Sequence, residues 1–195
     1  MISLLKRFLP WTIRHQLYAL LSLYRRQWRS IRKGRSMDPQ GNPLPWYTFP
    51  AVDYLDGLDF SGKWVFEYGS GQSTLWWAER CKELTSVEHD RAFFNWMNSH
   101  DKINARYICT ECMQDYIQRL NTPQDIIVID GVEREECAKR ALQFLAPGGM
   151  IILDNSQVEY HAKAVLDASR LFTIHFWGWV CVHGGTQCTS IYFDR

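Results

Sequence analysis

The sequence predicts an α/β fold in which a mostly parallel sheet is covered by helices on both faces. From Gly62 onward, short apolar stretches alternate with segments whose apolar residues recur at helical spacing, and this alternation is typical of parallel α/β sheets. The clearest stretch is 125–130, where four aliphatic residues lie between Asp125 and Asp130. A chain of 195 residues suits one domain, so we expect a single three-layer sandwich.

The individual elements follow from the same patterns. Strands are predicted where apolar runs end in glycine or polar turns, and helices where apolar residues share one face. The predicted strands are 63–67, 83–88, 105–109, 125–130, 150–153, 173–182 and 189–193, and the predicted helices are 73–81, 91–99, 134–145 and 162–171. A Pro147-Gly148-Gly149 turn separates helix 134–145 from strand 150–153.

Residues 1–35 are predicted to form a basic, helical N-terminal arm. Its apolar residues recur at helical spacing in two groups, Leu4, Leu5, Phe8 and Leu9, then Leu17, Leu20, Leu21 and Tyr24. Residues 1–37 carry nine Lys or Arg and no Asp or Glu, whereas the rest of the chain carries 13 basic and 21 acidic residues. Such an amphipathic helix either packs on its own domain or on a second subunit of a homo-oligomer, or it lies on an anionic membrane surface.

Residues 36–50 are predicted to be a linker that leads into a main domain at 51–195. Prolines and a Gly41-Asn42 pair interrupt this segment, and such residues disfavour regular structure. Trp46, Tyr47 and Phe49 lie within it. These aromatic side chains either anchor the linker to the core or form a lid over a ligand, since binding groups often lie on loops.

The composition disfavours several classes of protein. No apolar run approaches the roughly 18 residues of a membrane-spanning helix, and the N-terminal segment lacks the cleavage site of a secretory signal. We expect the six cysteines to be reduced thiols, and the lone Cys109-Thr110-Glu111-Cys112 pair is too little for zinc. No reader module accompanies the basic arm, so a nucleic-acid partner is not expected. These features indicate a cytoplasmic protein, with peripheral contact at the inner membrane surface left open.

A glycine-containing loop follows the first predicted strand. It reads Glu67-Tyr68-Gly69-Ser70-Gly71-Gln72-Ser73 and opens a helix, and glycines there let the backbone approach a ligand closely. Glu88 ends the next strand, where a carboxylate can accept the hydroxyl protons of a ribose. Glu67 precedes the glycines, so its charge would repel a pyrophosphate and attract an ammonium or sulfonium group. The pattern therefore favours S-adenosylmethionine over a nicotinamide dinucleotide.

Three segments, 66–71, 86–90 and 145–149, resemble successive motifs of the class I S-adenosylmethionine-dependent methyltransferases. The resemblance implies a Rossmann-like fold with a seven-stranded sheet whose last strand is antiparallel. It also implies which residues bind the cofactor: Glu67, Gly69, Gly71 and Ser73 around the methionine part, Ser70 in the same loop, Glu88 at the ribose and His89 near the adenine. The sequence departs from the commonest form of the loop at Tyr68 and Gln72.

Oxygen-bearing side chains end two further strands, Asp130 after one and Asp154 and Asn155 after the next. If the two strands are neighbours, these groups converge, and they suit a divalent cation such as Mg²⁺. The pattern resembles that of metal-dependent O-methyltransferases of the catechol and caffeoyl-coenzyme A type, in which such an ion anchors two substrate hydroxyls. The alternative is that Asp130 contacts the substrate directly while Asp154 and Asn155 cap a turn.

The sequence leaves the proton acceptor open. Catechol-type enzymes have a lysine three residues after the first metal-binding acid, whereas this chain has Glu133 there, followed by Arg134. Either another base serves, or Glu133 joins the ion, or no ion is used. His161, His175 and His183 are further candidates because histidine titrates near neutral pH. We name Asp130, Glu133 and His161 as candidate catalytic residues.

These patterns predict an S-adenosylmethionine-dependent methyltransferase, O-directed on a small or glycan-like hydroxylated acceptor, with or without a divalent cation. Two alternatives remain. One is a nicotinamide-dependent oxidoreductase, and the other is a non-catalytic Rossmann-like module that docks through its basic arm.

Overall fold

The computed structural model describes residues 10–99, 104–182 and 185–194. His183 and the first group of arm leucines lie outside these ranges. The helices described are α1 (Trp11–Lys33), α2 (Phe49–Asp56), α3 (Gln72–Ala78), α4 (Arg91–Asn98), α5 (Met113–Gln118), α6 (Arg134–Phe144) and α7 (Tyr160–Asp167). The strands described are β1 (Trp64–Tyr68), β2 (Glu83–Glu88), β3 (Ala105–Cys109), β4 (Gln124–Ile129), β5 (Leu145–Leu153), β6 (Phe172–Gly178) and β7 (Gln187–Phe193).

The described strands form one seven-stranded sheet in the order β3-β2-β1-β4-β5-β7-β6. Neighbours from β3 through β5 pair in parallel, whereas β7 pairs antiparallel with both β5 and β6. This arrangement confirms the predicted Rossmann-like sheet with an antiparallel last strand. The strand order reverses between β1 and β4, and ligands of such sheets bind at the carboxyl ends of the strands near that reversal.

Each face of the sheet is covered by its own apolar layer. Along β4, Ile126 and Val128 point into the layer that contains Trp76 and Trp77 of α3. Ile127 and Ile129 point into the opposite layer, which contains residues of α6 and α7. The alternation follows from the two-residue period of a strand, and it explains why this continuous apolar run has no exposed side.

Three elements differ from the sequence prediction. Helix α2 lies partly in the predicted linker, and its Pro50 occupies the first turn, where a missing N–H costs no hydrogen bond. The short helix α5 was not predicted. Strand β5 begins directly after α6 at Leu145, and its register with β4 shifts between Gln124 and Ile126, so Pro147 to Gly149 form a bulge within the strand.

The segment at 36–50 packs against the sheet. Tyr47 and Phe49 are buried, whereas Trp46 is half exposed. Thr48 donates its N–H to Thr189 Oγ1 at 3.0 Å and its hydroxyl to the Phe176 carbonyl at 3.0 Å. These contacts fit the anchoring interpretation of the aromatic residues. Separately, none of the described helices combines the length and the apolar character that crossing a bilayer requires.

Candidate cofactor site and active site

Glu67 lies beneath the glycine loop with no exposed surface. Its Oε2 accepts hydrogen bonds from the Thr74 hydroxyl at 2.5 Å and the Ser86 hydroxyl at 3.1 Å. Its Oε1 is buried and accepts no hydrogen bond from the described residues. Burial raises the pKa of Glu67 to about 8, although neighbouring hydroxyls partly oppose this effect. A buried carboxylate oxygen without a partner is costly, so Glu67 Oε1 is a candidate to accept a hydrogen bond from a ligand.

The glycine loop touches the turn that follows β4. Gly69 has φ +89°, and a Cβ at this position would lie 2.7 Å from the Gly131 Cα. A Cβ at Gly131 would in turn lie 2.0 Å from the Tyr116 hydroxyl oxygen. Both positions therefore need glycine for close backbone packing. The sequence analysis singled out Gly69 but not Gly131, because only the fold brings the two turns together.

Glu88 fastens the glycine loop to the end of β2. One carboxylate oxygen accepts the Ser70 N–H at 2.9 Å, and the other accepts the N–H groups of His89 and Asp90 at 2.8 and 2.9 Å. The His89 Nδ1 also lies 2.9 Å from Glu88 Oε1. The structure thus brings the predicted cofactor residues of the loop and of β2 to one edge of the sheet. Glu88 therefore supports the loop through backbone hydrogen bonds.

A second polar cluster lies at the carboxyl ends of β4 and β5, and Arg134 is at its centre. Its guanidinium donates to Asp130 Oδ1 at 3.1 Å and to the backbone carbonyl of Asp154 at 2.7 Å. It also lies 3.5 Å from the Asn155 side-chain oxygen. The sequence contains no signal for this ion pair, because Asp130 lies in the turn after β4 and Arg134 is the first residue of α6.

The three residues predicted to bind a metal each have protein partners. Asp130 pairs with Arg134, the Asp154 carboxylate accepts the Thr189 hydroxyl at 2.7 Å, and the Asn155 amide donates to Gln187 at 3.0 Å. Within the described ranges, no group of three or more His, Cys, Asp or Glu side chains is arranged to hold a metal ion. This donor set does not fit a divalent cation, because a guanidinium already lies among its oxygens and would repel one.

The buried acids of the two clusters influence one another. Burial raises the pKa of Asp130 above the ordinary aspartate range, and the adjacent Arg134 works against this rise. Burial also raises the pKa of Asp154, and the negative charge of Asp130 raises it further. Tyr47 is buried near Glu67, Asp130 and Asp154, so its pKa is raised by burial and by these negative charges. The Tyr47 hydroxyl accepts a hydrogen bond from the Trp77 indole N–H at 3.2 Å, so Tyr47 is part of the core beneath these acids.

The two remaining candidate catalytic residues lie apart from these clusters. Glu133 is exposed and begins α6 with φ +50°, a left-handed conformation that is uncommon outside glycine. His161 is exposed on α7. Among the described residues, neither the Glu133 nor the His161 side chain forms a hydrogen bond or an ion pair with Asp130.

A cavity of about 420 Å³ lies between α7 and the last two strands, and Ser156 and Gln157 line it just beyond the end of β5. Its wall includes the exposed rings of Tyr160 and Trp177. At its base, Ser156 and Ser190 hydroxyls are 2.6 Å apart, and His175 Nδ1 lies 2.8 Å from the Ser190 hydroxyl. The cavity therefore combines flat apolar surfaces with hydroxyl and imidazole groups, next to the carboxyl ends of the strands.

Comparison with solved structures finds the same fold in methyltransferases. The O-methyltransferase TomG from Streptomyces achromogenes, solved with S-adenosylmethionine, superposes with a TM-score of 0.56 at 15% identity, over 69% of this chain and 74% of that one. A methyltransferase from Pyrococcus furiosus gives 0.56 at 17% identity, over 75% and 83%. A candidate O-methyltransferase from Klebsiella pneumoniae gives 0.58 at 17% identity, over 99% and 94%.

These likenesses establish the Rossmann-like fold of methyltransferases for this chain. No protein-family model matches the sequence, and no curated protein matches it either.

Proposed function

We propose that the protein is an S-adenosylmethionine-dependent methyltransferase that methylates a hydroxyl group of a small or glycan-like acceptor. The observation that carries this proposal is the unpartnered, buried Oε1 of Glu67 beneath a glycine loop. A cationic ligand would give this oxygen a partner and would stabilise the ionised carboxylate. The fold shared with solved methyltransferases supports the same assignment.

In this proposal the loop and β2 hold the cofactor. Glu67 faces the ammonium and sulfonium charges, and the backbone of Gly69, Ser70 and Gly71 with the Ser73 hydroxyl lines the methionine part. Glu88 uses its remaining acceptor capacity for a ribose hydroxyl, and His89 lies beside the adenine. A carboxylate can accept about four hydrogen bonds, and Glu88 receives three backbone N–H groups in this structure.

Asp130 is the group that we assign as proton acceptor. Bound S-adenosylmethionine supplies an activated methyl group on a sulfonium. Methyl transfer from that sulfonium would leave a neutral thioether, and the Asp130 carboxylate would take the proton that the acceptor hydroxyl loses. Arg134 holds this carboxylate in place through its 3.1 Å hydrogen bond. Burial makes Asp130 a stronger base than an exposed aspartate.

We propose that Arg134 supplies the positive charge that the sequence analysis assigned to a divalent cation at Asp130, Asp154 and Asn155. Its contacts with Asp130, with the Asp154 carbonyl and with Asn155 support this assignment. Turnover measured with and without EDTA tests it. We expect equal rates, and a rate that EDTA abolishes and Mg²⁺ restores would contradict the role of Arg134.

The acceptor site that we propose is the cavity between α7 and the last two strands. Tyr160 and Trp177 provide flat faces on which an aromatic or sugar ring can pack, and the hydroxyls and His175 at its base suit polar substituents. Its position just beyond the carboxyl end of β5, the strand that pairs with β4, supports delivery of a hydroxyl toward Asp130. This geometry favours a ring-containing, hydroxylated acceptor.

Calorimetric titration with S-adenosylhomocysteine, and separately with NADH, tests the proposed function. We expect micromolar binding of S-adenosylhomocysteine and no binding of NADH. Replacing Glu88 with Ala should weaken the first interaction by about 1–3 kcal/mol, since it leaves polar groups unpaired. Glu136→Ala, at an exposed acid on α6, is the control and should bind normally. Binding of NADH alone would favour an oxidoreductase, and binding of neither would favour the non-catalytic module.

A further inference from the structure

Helix α1 presents an apolar stripe to solvent. The residues of the stripe recur at helical spacing, so they share one face, and all of them are more than one-third exposed: Ile13, Leu17, Leu20, Leu21, Tyr24, Trp28 and Ile31. In the C-terminal half of the helix, Tyr24 and Ile31 are the most exposed residues of the stripe, at 62% and 53%. Apolar stripes of this kind are normally covered, because exposure of contiguous apolar surface is unfavourable.

The same helix contacts its own domain through polar side chains. Arg26 donates two hydrogen bonds to Asp53 at 2.7 and 3.0 Å and lies over the Phe49 ring at 4.1 Å. Gln27 and Ser30 are buried, and they donate to the carbonyls of Val180 and Met37 at 2.5 and 2.8 Å. Arg26 and Ser30 are on the side of α1 away from the stripe, and Gln27 lies between that side and the stripe. The helix therefore meets its domain through polar side chains near its C-terminal end, whereas residues 11–13 and 15–22 are exposed.

The charge of the arm indicates what covers the stripe. Residues 1–37 carry nine Lys or Arg and no acid, and Arg25 and Arg32 flank the stripe along one edge. A symmetric pairing of two α1 helices would bring these cations together, which is unfavourable. An anionic lipid surface has the complementary charge, and each basic residue near such a surface adds to binding. Tyr24 and Trp28 have amphipathic rings that suit the boundary between headgroups and acyl chains.

We propose that α1 is a membrane-surface anchor that lies in the plane of an anionic phospholipid bilayer, with its apolar stripe in the interface and its basic residues at the headgroups. The polar contacts of Arg26, Gln27 and Ser30 attach the domain to the C-terminal half of the helix. This arrangement places the protein beside membrane-associated molecules. The proposal does not depend on the cofactor or on the reaction.

Co-sedimentation of the full chain with vesicles tests the proposal. The vesicles are phosphatidylcholine alone, or phosphatidylcholine with about 30% phosphatidylglycerol. We expect pelleting with the anionic vesicles, little with the neutral ones, and weaker binding at high salt because salt screens the charges. Leu20→Gln with Leu21→Gln should weaken binding at least about tenfold by removing apolar groups from the interface. Arg25→Gln with Arg32→Gln should also weaken it about tenfold or more.

Leu58→Gln is the matched control, since Leu58 is an exposed leucine beyond the end of α2, and it should pellet like the unaltered chain. Thermal melting of every variant verifies folding. Absence of pelleting with anionic vesicles, or pelleting that the stripe substitutions leave unchanged, would overturn the proposal. A vesicle-independent dimer that Leu20→Gln with Leu21→Gln dissociates would instead assign the stripe to a second copy.

Discussion

The guanidinium of Arg134 donates a hydrogen bond to the Asp130 carboxylate over 3.1 Å, across the turn that joins β4 to α6. Arg134 also donates to the Asp154 carbonyl at the end of β5. One cation thus links the carboxyl ends of two neighbouring strands at the site where we place the acceptor hydroxyl. We propose this ion pair, in place of a metal site, as the role of the acids at 130 and 154.

Arg134→Gln should raise the pKa of Asp130, because it removes the positive charge that lowers that pKa in the folded protein. Nearby arginine typically lowers an aspartate pKa by about 1–3 units, so we expect a rise of this order. Carbon-13 NMR of labelled aspartate carboxyl groups measures it directly and needs no acceptor. Lys139→Gln, at an exposed residue of the same helix, should leave the titration unchanged. An unchanged titration in Arg134→Gln would show that the ion pair does not control this carboxylate.

The free energy of unfolding should fall as pH rises from about 4.5 to about 8, because burial raises the folded-state pKa of Glu67 from 4.5 to about 8. Between these values the unfolded chain loses a proton that the folded chain keeps, so rising pH favours unfolding. The slope from one such group is at most about 1.4 kcal/mol per pH unit. Asp154 contributes in the same direction.

Urea denaturation at a series of pH values measures this dependence. Glu67→Gln should flatten the slope, whereas Glu136→Gln, at an exposed acid, should not. A slope in the unaltered protein that Glu67→Gln leaves intact would mean that other groups control the pH dependence.

Trp177→Ala should abolish or strongly weaken acceptor binding while leaving binding of S-adenosylhomocysteine unchanged. Trp177 is 57% exposed at the wall of the proposed acceptor cavity, so its removal deletes a packing surface without opening the core. Saturation-transfer NMR with a panel of phenols and sugars measures the loss. Trp64→Ala is the control, because Trp64 is 42% exposed at the opposite end of the sheet. Ligands that bind both variants equally would place the acceptor elsewhere.

The fold was predictable wherever local pattern and tertiary burial agree. Strands β2 and β3 have the predicted bounds. Turn and polar residues lie on either side of these short runs and mark where each strand begins and ends. Helix α2 was missed because Pro50 was interpreted as a linker residue, although proline also suits the first turn of a helix. The bulge at Pro147 to Gly149 was interpreted as a turn for a similar reason, since glycine and proline mark both features.

The site was predictable for residues in the glycine loop and at strand ends, because sequence order alone places them at one edge of a parallel sheet. Gly131 was missed because its role depends on a contact between two turns that are distant in sequence. Arg134 was present in the sequence argument, but only the structure shows that its guanidinium lies among the predicted metal ligands.

Calorimetry of S-adenosylmethionine binding at pH 7, repeated in buffers of different ionisation enthalpy, tests the central claim most directly. If the cofactor's positive charge meets Glu67, binding should release about one proton, because a carboxyl with a pKa of about 8 must ionise. Glu67→Gln should bind more weakly and release none, whereas Glu136→Gln should behave like the unaltered protein. Binding with no proton release, or identical binding by Glu67→Gln, would contradict the assignment of Glu67 to the cofactor.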